Sequence, residues 1–258
     1  MSPEHRIPAI ERAVAMLDTL GRYRDGLPLA DVARECAVTR STAYRILNSL
    51  AAAGLVRRSG LPGRYGLGPR LLGLAAAARA GLHAGDIVGP AHPHLARLSA
   101  VTGEASKLSI LADDMAMCVD AVAGSSEYAL SPLVAQSFPL HAGAASKVLL
   151  AGMEPSARQA VLRAPLSRHT ELTVVDAAAL DAELARIAGD GWAEDRGEHS
   201  RSVCALAAPV KDGAGQVVAT VSMAYLAERH QAMRRNHLAD LVRCCEAIAA
   251  DLARRAAA

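Results

Sequence analysis

Residues 29–54 read LADVARECAVTRSTAYRILNSLAAAG, and this stretch decides the fold of the N-terminal part of the chain. Apolar residues recur at helical spacing from Leu29 to Cys36 and again after Thr39, with a break at Ala37 and Val38. The hydroxyl of Thr39 can cap the second helix by accepting a hydrogen bond from an otherwise unpaired backbone N–H. Two short helices across such a break predict a helix-turn-helix. The turn carries Ala37 where glycine is usual, at a cost of about 1 kcal/mol for a left-handed backbone.

The outward face of the second helix follows from its inward face. Val32, Cys36, Val38, Ala43 and Ile46 form the small core of the motif, so the remaining side chains of the helix point away from it. Their chemistry suits DNA, because Arg pairs with guanine, Asn pairs with adenine, and hydroxyl groups bind phosphates. The predicted DNA-contacting residues here are Thr39, Arg40, Ser41, Thr42, Tyr44, Arg45 and Asn48.

A basic β-hairpin is predicted after this helix. Leu55–Arg58 and Arg64–Leu67 read as short strands around a Gly- and Pro-rich turn at Ser59–Gly63. The arginines of these strands can contact the sugar-phosphate backbone, or they can form a solvated face. The three arginines are Arg57, Arg58 and Arg64. With an amphipathic helix at Ile7–Leu20, the unit reads as a winged helix-turn-helix.

Four strings in these segments carry a family resemblance. They are Ile10–Ala13, Leu29–Ala33, Arg40–Leu47 and Gly63–Leu71, and in this order and spacing they are similar to the winged-helix domain of the isocitrate lyase regulator (IclR) family of bacterial transcription factors. The resemblance implies a double-stranded DNA operator as the partner. It also gives the expected boundaries: residues 1–69 as the DNA-binding domain, 70–84 as a linker helix and 85–258 as an effector-binding domain.

The linker segment predicts a self-association surface. Residues 69–80 read PRLLGLAAAARA, which is apolar around much of a helix and would be poorly solvated if exposed. We therefore expect it to pack against the same helix of a second subunit. A two-fold dimer, or a tetramer built as a dimer of dimers, would also place paired recognition helices on an inverted repeat.

The charge is divided unevenly along the chain. Residues 1–70 carry eleven arginines, no lysine and six acidic residues, whereas residues 71–258 carry seventeen basic and twenty acidic residues. The total of +2 therefore combines a segment of +5 with a segment of −3. Random scatter is the alternative explanation, but a basic module joined to an acidic one favours a polyanionic partner for the first segment only.

The C-terminal part is predicted as an α/β domain with a mainly antiparallel, GAF-like sheet, which makes the whole chain α+β. Glu104–Leu111 and Ala116–Ala123 form one strand pair joined by a short turn, and Val203–Val210 and Gln216–Tyr225 form another. Helices are expected at Asp86–Ala100, Ala145–Leu150, Glu154–Leu162, Ala177–Ile187 and Arg234–Arg255.

The family resemblance continues into this domain and implies a small-molecule effector pocket. It rests on Thr102–Ser106, Pro139–Ala142, Ser146–Lys147, Gly191–Asp195 and Ala207–Val210. The ligand-contacting positions of the family fall on Ala144, Ala145, Asp195, Ala205, Ser222 and Ala224.

The residues at those positions are small. One face of the predicted strand Gln216–Tyr225 carries Val218, Thr220, Ser222 and Ala224, and these small side chains independently leave room for a ligand. Glyoxylate-sensing members usually have a cysteine where Ala205 stands, and Cys204 is displaced by one residue, which turns it to the opposite face. We therefore expect an effector that is larger or less polar than glyoxylate, such as an aromatic or branched acid.

Several other functional classes find little support. No stretch reaches the roughly 18 apolar residues of a membrane span, and the five cysteines form no C-x-x-C pair, so a soluble cytoplasmic protein with reduced thiols is expected. The sequence shows no G-x-S-x-G, phosphate-binding glycine loop or H-E-x-x-H motif, and we assign no catalytic residue, metal or cofactor.

Two alternatives stay open at this point. An enzyme could carry an appended DNA-binding module, and a metal-responsive regulator could use Asp195, His199 and Cys204 as ligands. His92 and His94 are a weaker metal candidate, because residues two apart on a helix point to different faces.

Overall fold

Two structural units divide the chain, residues 1–81 and residues 82–258. The computed structural model describes residues 7–23, 25–58, 63–81, 87–132 and 134–256. Residues 59–62 of the predicted hairpin turn, residues 82–84 of the predicted linker helix and the start of the helix predicted from Asp86 lie outside these ranges.

The first unit is a small helical domain with a three-stranded sheet. Its elements are α1 (Pro8–Gly21), β1 (Leu27–Pro28), α2 (Leu29–Glu35), α3 (Arg40–Ala52), β2 (Val56–Arg58), β3 (Arg64–Leu67) and α4 (Arg70–Gly81). Strand β3 lies between β1 and β2 and is antiparallel to both. The core is aliphatic, and Met16, Val32, Ala43 and Leu47 in it are fully buried. The predicted winged helix-turn-helix is therefore confirmed.

The second unit is built around a six-stranded antiparallel sheet. Its elements are α5 (Val88–Thr102), β4 (Ala105–Ala112), β5 (Met115–Val122), β6 (Ser137–Pro139), α6 (Ala144–Ala151), α7 (Pro155–Arg163), α8 (Ala177–Asp190), β7 (Ala193–Arg196), β8 (Val203–Lys211), β9 (Val217–Leu226) and α9 (His230–Ala256). The strand order is β6-β5-β4-β9-β8-β7. The predicted α+β class with a mainly antiparallel sheet is confirmed.

Helices cover both faces of this sheet. Helices α5 and α9 pack on one face, where Leu108, Val221, Met223 and Tyr225 are fully buried. Helices α6, α7 and α8 pack on the other face over a second core that includes Leu150, Leu180 and Leu184. Alternate residues of each strand therefore enter different cores.

Short elements account for most differences from the sequence prediction. Strands β1, β6 and β7 were not expected, and each has two to four residues. Helix α9 begins at His230, four residues before the predicted start. The remaining helices and the four long strands lie within a few residues of their predicted bounds.

Candidate functional site

The start of helix α3 is fixed by the turn before it. Ala37 adopts a left-handed backbone with φ of 50°, as the glycine-like position predicts. The side chain of Thr39 then accepts a hydrogen bond from the backbone N–H of Thr42, with an N···O distance of 3.3 Å. These two features separate α2 from α3 by four residues and orient the outer face of α3.

That outer face carries the predicted DNA-contacting side chains. Thr39, Arg40, Ser41, Tyr44 and Arg45 are exposed, and Thr42 and Asn48 are half-buried. Tyr44 has a relative exposure of 48%, which is large for an aromatic residue. The face therefore presents guanidinium, hydroxyl and amide groups to a partner.

The arginines of the hairpin differ in their exposure and in their hydrogen bonds. Arg57 and Arg58 are exposed, and Arg58 donates to the Oδ1 atom of Asn48 at 3.5 Å. Arg64 is half-buried and donates to the backbone oxygen of Gly26 at 3.0 Å, so it also supports the fold. Of the three, Arg57 and Arg58 are the more accessible to a phosphate.

A cavity of about 320 Å³ lies in the second unit on the sheet face that carries α6. All six positions predicted for the effector line it: Ala144, Ala145, Asp195, Ala205, Ser222 and Ala224. The antiparallel ladder explains this convergence, because Asp195 pairs with Ala205 and Ala205 pairs with Ala224 across three neighbouring strands. Cys204 is buried in the core on the opposite face, as the alternation of strand β8 predicts.

Helix α6 begins at the wall of the cavity. Gly143 precedes it with φ of 97° and provides no side-chain cap. The first backbone N–H groups of a helix have no partner within the helix, and its N-terminal end carries partial positive charge. Ala144 and Ala145 therefore bring polar backbone groups to a wall whose side chains are methyl groups.

Asp195 connects the cavity to a buried ionic cluster behind it. Its Oδ1 atom accepts hydrogen bonds from the backbone N–H groups of Gly197 at 2.9 Å and of Glu198 at 2.7 Å. Lys147, which is fully buried, donates to Glu183 at 2.7 Å and to Glu198. Burial raises the pKa of Asp195 above its ordinary value, although both backbone hydrogen bonds and Lys147 act in the opposite direction.

Two family models match the chain. The model for the IclR helix-turn-helix domain matches residues 9–60, and the model for the bacterial transcriptional regulator IclR C-terminal domain matches residues 79–250. The chain belongs to the IclR family. Together with the winged helix of the first unit, this membership makes it a DNA-binding transcriptional regulator.

Individual IclR-family relatives resemble the chain over most of its length. HTH-type transcriptional regulator Rv1719 of Mycobacterium tuberculosis is 37% identical over 86% of this chain and 84% of its own. The DNA-binding transcriptional repressor YiaJ of Escherichia coli is 28% identical over 98% of this chain and 92% of its own. The crystal structure of an IclR homologue from Microbacterium hydrocarbonoxydans, complexed with 4-hydroxybenzoate, superposes with a TM-score of 0.72 at 28% identity, and the match covers 96% of this chain and 99% of that one.

The cavity of this IclR-family chain is also lined by residues outside the six predicted effector positions. Lys107 and Ser109 on β4 and Phe138 on β6 carried no sequence prediction, and His199 was considered only as a metal ligand. Burial lowers the pKa of His199, and the neighbouring His169 lowers it further. Lys107 in an otherwise mainly apolar strand was the sequence signal that could have indicated a cavity residue. It could not be interpreted without knowing which strand lies beside β4.

The metal candidates are not brought together. His92 pairs with Asp120 at 2.9 Å and His94 pairs with Asp251 at 2.8 Å, so the two rings have separate carboxylate partners. Cys204 lies on the other side of the sheet from the cavity that Asp195 and His199 line. Within the described part of the chain, no cluster of three or more His, Cys, Asp or Glu side chains is placed to hold a metal ion.

Among the described residues, none of the helices combines the length and the apolar character needed to span a membrane.

Proposed function

We propose that this IclR-family regulator is a homodimeric repressor that leaves an inverted-repeat operator when an organic acid binds in the cavity of the second unit. The observation that carries the proposal is the convergence of the six predicted effector positions on one cavity. In this proposal, the regulator acts in the cytoplasm.

The DNA side of the proposal rests on α3 and the hairpin. Arg40 and Arg45 enter the major groove with α3, where Arg recognises guanine in a bidentate manner. Arg57 and Arg58 contact phosphates beside the groove, where they strengthen binding without reading sequence. In this proposal, Asn48 contacts the edge of an adenine. The hydroxyls of Thr39, Ser41, Thr42 and Tyr44 contact oxygens of the DNA backbone.

The dimer is supported by exposed apolar side chains on the first unit. Leu72 and Leu74 of α4 have relative exposures of 76% and 49%, and Ile10 and Val14 of α1 are more than half exposed. Apolar side chains exposed on these two helices become more favourable when a partner covers them. A second copy of the chain is the partner that also supplies the second recognition helix.

The effector is an organic acid with an apolar body. Small side chains at Ala205 and Ala224 widen the cavity, and the structural neighbour from Microbacterium hydrocarbonoxydans was crystallised with the aromatic acid 4-hydroxybenzoate. Repression follows the relatives that are named as repressors, including YiaJ. The acid can change operator affinity only if it binds the two states of the dimer with different affinity.

Fluorescence anisotropy tests this function with the wild-type chain and a duplex from the region upstream of its own gene. We expect two chains per inverted repeat, and release on addition of 4-hydroxybenzoate or another acid of a panel. The R45A variant removes one base-reading guanidinium and should lose about 1–3 kcal/mol of operator binding. R163A on α7, which removes an exposed arginine of the second unit, is the matched control.

Two results would contradict the proposal. Equal operator affinity of R45A and R163A would remove Arg45 from the recognition surface. Unchanged operator binding across the whole acid panel would argue against an organic acid as the effector.

A further inference from the structure

Lys107 places an ammonium group in the wall of the cavity, and no described residue provides a counter-ion for it. It is the third residue of strand β4, and its Nζ atom is 5.9 Å from the centroid of the Phe138 ring. No carboxylate of the described residues lies within ion-pair distance of this Nζ atom. Burial lowers the pKa of Lys107 below its ordinary value, because the charged form loses hydration.

Two hydroxyl groups lie beside this ammonium group. Ser222 on β9 is directly opposite Lys107 in the antiparallel ladder, and Ser109 is two residues further along β4 on the same face. Side chains directly opposite each other on one face have Cβ atoms about 5 Å apart. Both serines line the cavity, and neither hydroxyl is bonded to another described residue. Lys107, Ser109 and Ser222 together form a patch of hydrogen-bond donors for which the described residues provide no side-chain acceptor.

Asp195 provides a hydrogen-bond acceptor at the wall of the cavity that lies opposite Lys107. Strands β9 and β8 separate β4 from β7, so the backbones that carry Lys107 and Asp195 are about 14 Å apart at the usual strand spacing. The Oδ1 atom of Asp195 is occupied by two backbone amides, whereas Oδ2 has no hydrogen-bond partner in the described part of the chain. This second oxygen can accept a hydrogen bond from a ligand.

The surface between the two walls is apolar. Ala224 on β9 and Ala205 on β8 line it, and Ala116 and Phe138 line the cavity on the other side of β4. A ligand that satisfies the whole cavity therefore has an anionic end, an apolar body and a hydrogen-bond donor at the other end. Unsatisfied buried polar groups are costly, so a molecule that lacks either end binds less well.

We propose that Lys107, with the hydroxyls of Ser109 and Ser222, holds the carboxylate of a hydroxylated monocarboxylic acid whose hydroxyl group donates to Asp195. This inference rests on the proposed effector role of the cavity and adds the class of ligand, its orientation and the residue that selects it. An acid is then distinguished from its neutral amide at the Lys107 end, because only the acid neutralises the ammonium group.

Isothermal titration calorimetry of the full-length chain tests this with compounds that differ at one end. The probes are 4-hydroxybenzoate, 4-hydroxybenzamide, benzoate and the aliphatic acid 6-hydroxyhexanoate. We expect the wild type to bind at least one hydroxy acid, to bind 4-hydroxybenzamide more weakly than 4-hydroxybenzoate, and to bind benzoate with intermediate affinity. K107M should weaken binding of the hydroxy acid about tenfold or more, since it removes the cation but keeps the length of the side chain.

The matched control is K211M. Lys211 is exposed at the end of β8 and is not part of the cavity wall, so this variant should bind the acids like the wild type. Equal acid affinity in K107M and K211M would overturn the anchor while leaving the proposed effector function intact. Equal affinity of the wild type for 4-hydroxybenzoate and 4-hydroxybenzamide would also overturn the anchor and leave the proposed effector function intact. Binding of none of the four compounds would overturn this inference, and only unchanged operator binding across the whole acid panel would also overturn the proposed effector function.

A second measurement tests the anchor on the wild-type chain itself. The chain has only three lysines, Lys107, Lys147 and Lys211, so selective ¹³C labelling of lysine gives few NMR signals. K107R and K211M assign the signals of the two substituted positions. We expect the pKa of Lys107 to rise when 4-hydroxybenzoate or 6-hydroxyhexanoate is bound, because a carboxylate favours the charged form. A pKa that stays constant on saturation would overturn the contact.

Discussion

Lys107 and Lys147 lie in the same domain, Lys107 half-buried and Lys147 fully buried, and their surroundings are opposite. Lys147 on α6 is fully buried and donates to Glu183 and Glu198. Lys107 on β4 faces the cavity with two serines and an aromatic ring around it, and no described carboxylate pairs with it. Both lysines are related to Asp195. The charge of Lys147 favours the ionised form of Asp195, and Lys107 lies at the opposite wall of the cavity that Asp195 lines.

The difference shows which of the two ions the fold itself requires. A buried charge that is paired and hydrogen-bonded is part of the structure, because removing one partner leaves the other uncompensated. A charge that is buried without a partner costs stability in the empty protein and is compensated only when a ligand arrives. Lys147 therefore stabilises the folded chain, whereas the proposed role of Lys107 is to bind the ligand.

The largest expected effect is the loss of folding stability in K147M. The substitution leaves Glu198 and Asp195 without the ammonium group that compensates them, and we expect the free energy of unfolding to fall by about 3–5 kcal/mol. Urea denaturation followed by circular dichroism measures this change. K211M removes an exposed lysine and should stay within about 0.5 kcal/mol of the wild type. Similar losses in K147M and K211M would mean that the cluster contributes little to the fold.

A smaller effect is expected from the pH dependence of Glu198. Burial raises the pKa of Glu198 to about 7 even though Lys147 lowers it. The folded chain then retains a proton that the unfolded chain releases near the ordinary value of 4.5. The contribution of this proton to stability is present at pH 4.5 and is lost as the pH rises through about 7.

The E198Q variant isolates this contribution, because its amide oxygen can still accept a hydrogen bond from Lys147. Between pH 4.5 and 7, we expect the wild-type free energy of unfolding to decrease relative to that of E198Q by at most about 3 kcal/mol. Urea midpoints at several pH values measure the difference, and other titrating groups cancel because both proteins contain them. Parallel pH profiles for the two proteins would contradict the assignment.

The two ions also differ in how far the sequence could predict their surroundings. Helix periodicity, the cap at Thr39 and the hairpin arginines are local signals, and they located the winged helix within a few residues. Of the small side chains that strand alternation places on one face of Gln216–Tyr225, Ser222 and Ala224 line the cavity, whereas Val218 and Thr220 do not. Local patterns therefore predicted one wall of the cavity and most of the first unit.

Long-range pairing could not be predicted in the same way. Lys107 becomes part of the cavity because β4 lies beside β9, a strand more than 100 residues later in the chain. Strand β7 carries Asp195 but has only the four residues AEDR, so its own pattern does not indicate a strand. A register shift between Val210 and Lys211 also places Val217 in the core below α6, whereas simple alternation predicts the same face as Val221.

The smallest expected effect has the opposite sign and concerns Lys107 in the absence of ligand. K107M removes a half-buried cation that has no carboxylate partner among the described residues and keeps an apolar side chain of similar length, so we expect stability to stay unchanged or to rise by up to about 1 kcal/mol. Urea denaturation of K107M, K211M and the wild type without added acid measures it. A clear loss of stability in K107M alone would show that Lys107 has a structural partner, and the distinction from Lys147 would fail. A gain in stability combined with weaker acid binding would instead show that the chain sacrifices stability at this position for ligand recognition.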